Sequence, residues 1–224
     1  MILNDILKVL YSPVNAFKQI IQKPDIKGPI IILVLVLIAT VGRQYAVGSK
    51  IFIQTDSQEF VGLLTTDLVA SFIGTSVINS AIDFFLVWIL YTGVILVVAV
   101  ALHEKIGSRR TLFIVLGHTF IVTAVSILIS LVLISTFPAV NFPISSWPPA
   151  TEAEALIVGN LMEEFWYPTI AFRLVFYISF IMDFWVAALC AVSIRFLGEL
   201  TWRKAIMFAA TAYVATFLLR GLLA

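Results

Sequence analysis

Charge is what this sequence has least of. Only 12% of its 224 residues are Asp, Glu, Lys or Arg, about half the share of an ordinary soluble domain. Hydrophobic residues make up 61%, which leaves too little polar surface to cover a water-soluble globule. Cysteine is nearly absent. The single Cys190 excludes an intramolecular disulfide, and its apolar setting marks a small buried side chain. Two histidines and one cysteine are too few donors for a zinc site of nitrogen and sulfur ligands. The string "HEKIG" from His103 has Gly107 where a metalloprotease helix would carry its second histidine. The chain has no Gly-rich phosphate loop, Gly-x-Ser-x-Gly elbow, Asn-x-Ser/Thr sequon or internal repeat. These absences leave no residue assigned to catalysis, no metal and no cofactor, and the expectation is a protein that is not an enzyme. Nucleic acid is not expected as a partner. A cleavable leader is not expected either, because the first apolar run begins only at residue 30 and is long enough to span.

What the sequence does have is long apolar runs. About 20 such residues cross a hydrocarbon core about 30 Å thick. Five segments qualify: 29–47, 81–102, 111–137, 168–197 and 204–223. Backbone groups cannot go unpaired in lipid, so each is expected to be a helix. The fold class expected is all-α: an integral membrane bundle of five transmembrane helices, in one domain over residues 1–224. An N-terminal interfacial amphipathic helix and short extracellular helices complete it.

Lysine and arginine orient the bundle. Lys8, Lys18, Lys23 and Lys27 precede the first span, "HEKIGSRR" joins the second to the third, and "GELTWRK" joins the fourth to the fifth. With five spans these three regions fall on one side. Residues 138–168 hold no Lys or Arg but carry Glu152, Glu154, Glu163 and Glu164. The positive-inside rule then puts the N-terminus in the cytoplasm and the C-terminus outside, in a cell (cytoplasmic) membrane. Two longer outer segments remain. In residues 48–80, Phe60, Leu63, Leu64 and Leu68 recur at helical spacing, which predicts an interfacial helix or a re-entrant piece. Residues 138–168 predict a helix from Thr151, with Thr151 as N-cap and Glu154 three residues on. Trp147, Trp166 and Tyr167 suit the headgroup region.

The opening segment is amphipathic. Ile2, Leu3, Ile6, Leu7 and Leu10 form one stripe; Val14, Phe17, Ile20 and Ile21 form a second after Ser12-Pro13, an N-cap and first helical residue. It predicts a helix lying on the cytoplasmic interface, either anchoring the bundle or docking a partner. The cytoplasmic basic face comprises Lys18, Lys23, Lys27, Arg109, Arg110, Arg203 and Lys204. Its expected partners are anionic lipid of the bilayer or a protein, with a second copy of the chain as a further candidate.

Charge inside a span is costly and calls for an explanation. Arg43, Asp83, Arg173 and Arg220 fall near the outer rim, where they can snorkel or pair, for instance Arg43 or Arg173 with Asp83. Asp183 lies near the middle of its span, four residues apart from Ala187 and Ala191 in turn. That small-residue face predicts close helix contact, with Asp183 turned toward protein. By helical rise His118 is about 12 Å, and Asp183 about 18 Å, from the cytoplasmic side. They are placed to bond each other, or Asp183 to meet Arg43 or Arg220. A proton or ion relay and a clasp that fixes helix register both account for such a site. Thr119, Thr123, Ser126 and Ser130, and Ala205, Ala209, Ala212 and Thr216, are expected to be packing faces.

Three stretches carry a family likeness: "SPVNAFKQIIQKPDIKGPIII", "IGSRRTLFIVLGHTF" and "FWVAALCAVSIRFLGELTWRKAI". In this order and spacing the chain resembles the Yip domain family, multi-pass proteins whose eukaryotic members associate with Ypt/Rab GTPases. The string nearest to the Asp-Leu-Tyr-Gly-Pro motif of those members is "VLYSP" at Val9–Pro13. The resemblance implies five spans, a cytoplasmic N-terminal region, no transferable catalytic residue and, here, a prokaryotic member. The expected function is to organise membrane, or to recruit partners or lipids, at the cytoplasmic face. The rival from another class is a small transporter or channel centred on Asp183 and His118.

Overall fold

The computed structural model describes the backbone of residues 2–54, 59–144, 149 and 151–223, and the side chains of residues 3–54, 59–144, 149 and 151–219. Helices dominate. In chain order they are α1 (Ile2–Tyr11), α2 (Pro13–Gln22), α3 (Lys27–Gly48), α4 (Val69–Ala101), α5 (Arg109–Thr119), α6 (Ile121–Ile134), α7 (Glu152–Phe165), α8 (Ile170–Leu197) and α9 (Trp202–Leu223). Three short strands are added: β1 (Ile51–Gln54), β2 (Phe60–Gly62) and β3 (Val140–Phe142).

Among the described residues four helical stretches are long and apolar enough to cross a membrane: Lys27–Gly48, Val69–Ala101, Arg109–Ile134 and Ile170–Leu197. The third is α5 and α6 together, interrupted at Phe120, whose N–H donates to the His118 carbonyl. Helix α9 coincides with the fifth apolar run. Its Ala205, Ala209, Ala212 and Thr216 are all buried, the stripe expected to pack.

The chain forms two compact units. Unit 1 comprises Met1–Val36, Ala81–Val125 and Ile181–Ala224; unit 2 comprises Leu37–Ser80 and Ser126–Phe180.

Unit 2 corrects the reading of residues 48–80. The segment after α3 is a strand, not an interfacial helix, and α4 starts at Val69, well before residue 81. Strand β1 is central in the order β2-β1-β3. It runs antiparallel to β2, with Ile53 opposite Val61, and parallel to β3, with Ile51 opposite Val140 and Ile53 opposite Phe142. Alternation explains the preference: Ile51 and Ile53 point into the core while Phe52 and Gln54 are half-buried. Leu63 and Leu64, whose spacing predicts a helix, form a single 3-10 turn, Leu63–Thr65. The buried sheet face meets Phe137, Ile144, Val158 and Trp166 in one cluster. Trp166 anchors it, donating from Nε1 to the Pro138 carbonyl at 3.0 Å. Its ring is tilted against Phe137 and edge-on to Phe142. Helix α7 begins at the expected cap, the Glu154 N–H donating to Thr151 Oγ1 at 3.2 Å. Trp147 lies outside the described residues.

Replacing Trp166 by Phe keeps a ring in the cluster but removes the indole N–H that donates to the Pro138 carbonyl. We expect a loss of about 0.5–1.5 kcal/mol, read as a lower melting temperature by circular dichroism in detergent; an unchanged melt would show that this bond does not hold unit 2.

Candidate functional site

Unit 1 is organised around α5, whose residues from Ile114 to Thr119 are all buried. Ser108 starts it by accepting from the Thr111 N–H at 3.1 Å. Two close approaches fix its neighbours. A Cβ on Gly28 would lie 2.0 Å from His118 Nε2, and a Cβ on Gly117 would lie 2.6 Å from Trp88 Cζ2 and 2.7 Å from Pro29 Cβ. Glycine at these points lets α3 and α4 come against α5 at backbone distance. Trp88 then donates from Nε1 to the Phe113 carbonyl at 2.6 Å, and the two rings stack at 4.0 Å. Asp25 sets the entry of α3: its Oδ1 accepts from the Lys27 N–H at 2.9 Å.

The amphipathic opening segment is two helices, not one. Ile6 and Val9 of α1, with Ala16, Phe17 and Ile20 of α2, are buried where the pair meets itself and α5. The break falls at Ser12-Pro13, as the sequence signalled. Ser12 Oγ makes no cap bond to the helix backbone; it accepts from Asn15 Nδ2 at 3.1 Å. The hairpin also has an outer apolar ridge. Leu3, Leu7 and Tyr11 are 56%, 47% and 70% exposed, four residues apart in turn.

The two basic connections, expected to share a side, touch one another. Glu104 and Lys204 form an ion pair. A Cβ on Gly198 would lie 3.3 Å from the Lys105 carbonyl, and one on Gly107 2.7 Å from Leu197 Cδ1. Gly107 has φ +33°, a conformation that other residues adopt only with strain. Arg195 Nη1 donates to the Leu200 carbonyl at 2.5 Å, and its guanidinium lies 4.7 Å from the Trp202 ring centroid. Lys18 of α2 places its ammonium 5.2 Å from the Phe196 ring centroid, tying the hairpin to the end of α8.

All seven residues of the expected basic face, Lys18, Lys23, Lys27, Arg109, Arg110, Arg203 and Lys204, are exposed and belong to unit 1. The bias is general. Unit 1 holds eleven of the fourteen Lys and Arg but only six of the thirteen Asp and Glu; unit 2 holds the remaining three and seven.

Among the described residues, His118 and Asp183 do not bond each other. His118 is buried, and Nδ1 lies 2.9 Å from the Ile114 carbonyl. A carbonyl only accepts, so Nδ1 carries the proton and Nε2 faces Gly28. That bond replaces the one expected to Asp183. Asp183 itself is exposed on α8, as are Ile181, Phe184 and Trp185 around it. Only toward Ala191 does its face become buried. The small residues thus pack one end of the stripe and leave the carboxylate outside, within electrostatic reach of Tyr213, whose ring stacks on Phe184. Asp83 is exposed on α4 in unit 1, while Arg43, half-buried, and Arg173, exposed, belong to unit 2. The Arg220 side chain lies outside the described residues. Among the described residues no three His, Cys, Asp or Glu side chains group as metal ligands.

Long apolar helices and a charge-segregated helical unit narrow the candidates, and sequence comparison decides among them. The sequence model of the Yip1 domain matches residues 7–223. The chain belongs to the Yip1 domain family. No curated protein and no solved structure matches it. Yip1 domain proteins are multi-pass membrane proteins, generally without catalysis, and the four long apolar helices agree with that class. The match begins within α1 and runs through α9.

If the Gly28–His118 approach sets the Yip1-type unit, Gly28→Ala should destabilise it by about 1–3 kcal/mol through overpacking. Adding His118→Ala should recover most of that loss, because the clashing ring is gone. Thermal melts of the single and double variants in detergent test this; additive losses would rule out the contact.

Proposed function

We propose that this Yip1 domain protein spans a cell membrane five times, with α9 as the fifth crossing, and recruits anionic lipid or a protein partner at a basic cytoplasmic face. Its role is of the membrane-trafficking type: organising the bilayer or assembling partners on it, without catalysis. One observation carries this reading, the segregation of charge. Eleven of fourteen basic residues belong to unit 1, and its two basic connections meet at the Glu104–Lys204 pair and the Gly198–Lys105 approach. The positive-inside rule assigns such a surface to the cytoplasm. Each lysine or arginine near an anionic leaflet contributes about 1 kcal/mol, falling off within a Debye length. A prokaryotic cytoplasmic membrane, rich in anionic lipid, suits that design. The exposed ridge Leu3, Leu7 and Tyr11 adds an apolar edge that can enter the headgroup zone.

The orientation can be tested with introduced cysteines, because the only native one, Cys190, is fully buried. A membrane-impermeant maleimide applied to intact cells should label Thr151→Cys and leave Ser108→Cys unlabelled until the membrane is opened. The reverse pattern would overturn the cytoplasmic assignment of the basic face. Neutralising Lys23, Lys27, Arg109 and Arg110 together should reduce capture of anionic lipid by roughly tenfold or more, measured by lipid co-purification.

A further inference from the structure

A groove opens along the α1–α2 hairpin, lined by Lys8, Tyr11, Ser12, Asn15, Lys18 and Gln19. Its volume is about 440 Å³, within the range of small-molecule sites. Each lining residue ends in a hydrogen-bonding group, two of them ammonium ions, and none is a carboxylate. Asp5 Oδ1 stands 4.0 Å from Lys8 Nζ, at the outer limit of an ion pair. Lys8 also reaches Gln19 Oε1 at 3.4 Å, a long bond, so its ammonium keeps N–H groups for a ligand. Lys18 is steadied by the Phe196 ring. Ser12 Oγ accepts from Asn15, which leaves the hydroxyl hydrogen to donate. A cluster of donors with two cations fits a phosphoryl group.

The groove has an apolar border on one helix. Tyr11 belongs both to its lining and to the exposed ridge with Leu3 and Leu7. A phosphoryl group attached to acyl chains satisfies both surfaces at once; free phosphate satisfies only the first. We propose that this groove binds the phosphoryl headgroup of an anionic membrane lipid. Lys8 and Lys18 pair with the phosphoryl oxygens, Ser12 and Asn15 help to orient them, and the Leu3–Leu7–Tyr11 ridge lies along the acyl region. The site deepens the basic-face reading and rests on it: it names one specific seat where that reading needs only a diffuse field.

Native mass spectrometry of the full-length protein in neutral detergent tests this, with phosphatidylglycerol and phosphatidylcholine of the same acyl chains as probes. The parent should keep one phosphatidylglycerol at least about tenfold more readily than phosphatidylcholine. Lys8→Gln with Lys18→Gln should lower that first binding about tenfold. Ser12→Ala with Asn15→Ala should lower it about threefold with charge unchanged. Arg109→Gln with Arg110→Gln removes the same charge from the basic face outside the groove and should lower it only about threefold, its share of the diffuse field. Equal losses from the two charge-removing pairs would overturn the groove and leave the diffuse basic face standing. Parent-level capture by all three variants would overturn both. Soluble glycerol 3-phosphate displacing the lipid at equal concentration would assign the seat to free phosphate and overturn the lipid. Circular dichroism of each variant checks folding, and the Ser12/Asn15 pair decides if the lysine pair misfolds.

Discussion

The fold of unit 1 depends on how closely α3 and α4 can come to α5. Lipid chains are as apolar as leucine, so burying oily surface gives little drive for helices to associate within a bilayer; contact at short range does. Gly28 and Gly117 provide that range, one beneath the His118 ring and the other beneath Trp88 and Pro29. With both in place, His118 can satisfy Nδ1 on its own helix, and Trp88 can reach the Phe113 carbonyl. A buried imidazole that serves packing in this way has no need of an acidic partner, and Asp183 is accordingly elsewhere.

Upon that core sits a surface with one dominant sign of charge. The α1–α2 hairpin is fastened to α5 by its inner stripe and to Phe196 by Lys18. The α4–α5 and α8–α9 connections meet at close glycine contacts, with Glu104 and Lys204 paired across them. Exposed single ion pairs add little stability, so the connections owe their positions to glycine packing and helix ends, with the ion pair as a marker of proximity. The result is a cationic surface with an apolar edge, a combination suited to an anionic interface.

Unit 2 shows the opposite balance, seven acidic residues against three basic. Its core is a small sheet with aromatic packing. Trp166 places its ring against Phe137 and Phe142 and its N–H on the Pro138 carbonyl. An indole, with a polar edge and a large apolar face, serves both contacts at once.

The sequence by itself determined the helical class, the positions of the long apolar segments, the break at Ser12-Pro13, the Thr151 cap and the asymmetry of charge. Each of these is local: run length, a capping residue, or a count along the chain. Only the tertiary structure decided that "IFIQ" is the centre of a sheet. Four residues of alternation carry little signal, and the parallel partner at Val140–Phe142 is far away in the chain. It also decided that Asp183 faces outward and that His118 turns to Ile114, because helical spacing relates residues on one helix but not the rotation of that helix against its neighbours. The glycines were visible in the sequence; what they were for depended on which side chains of other helices came to rest against them.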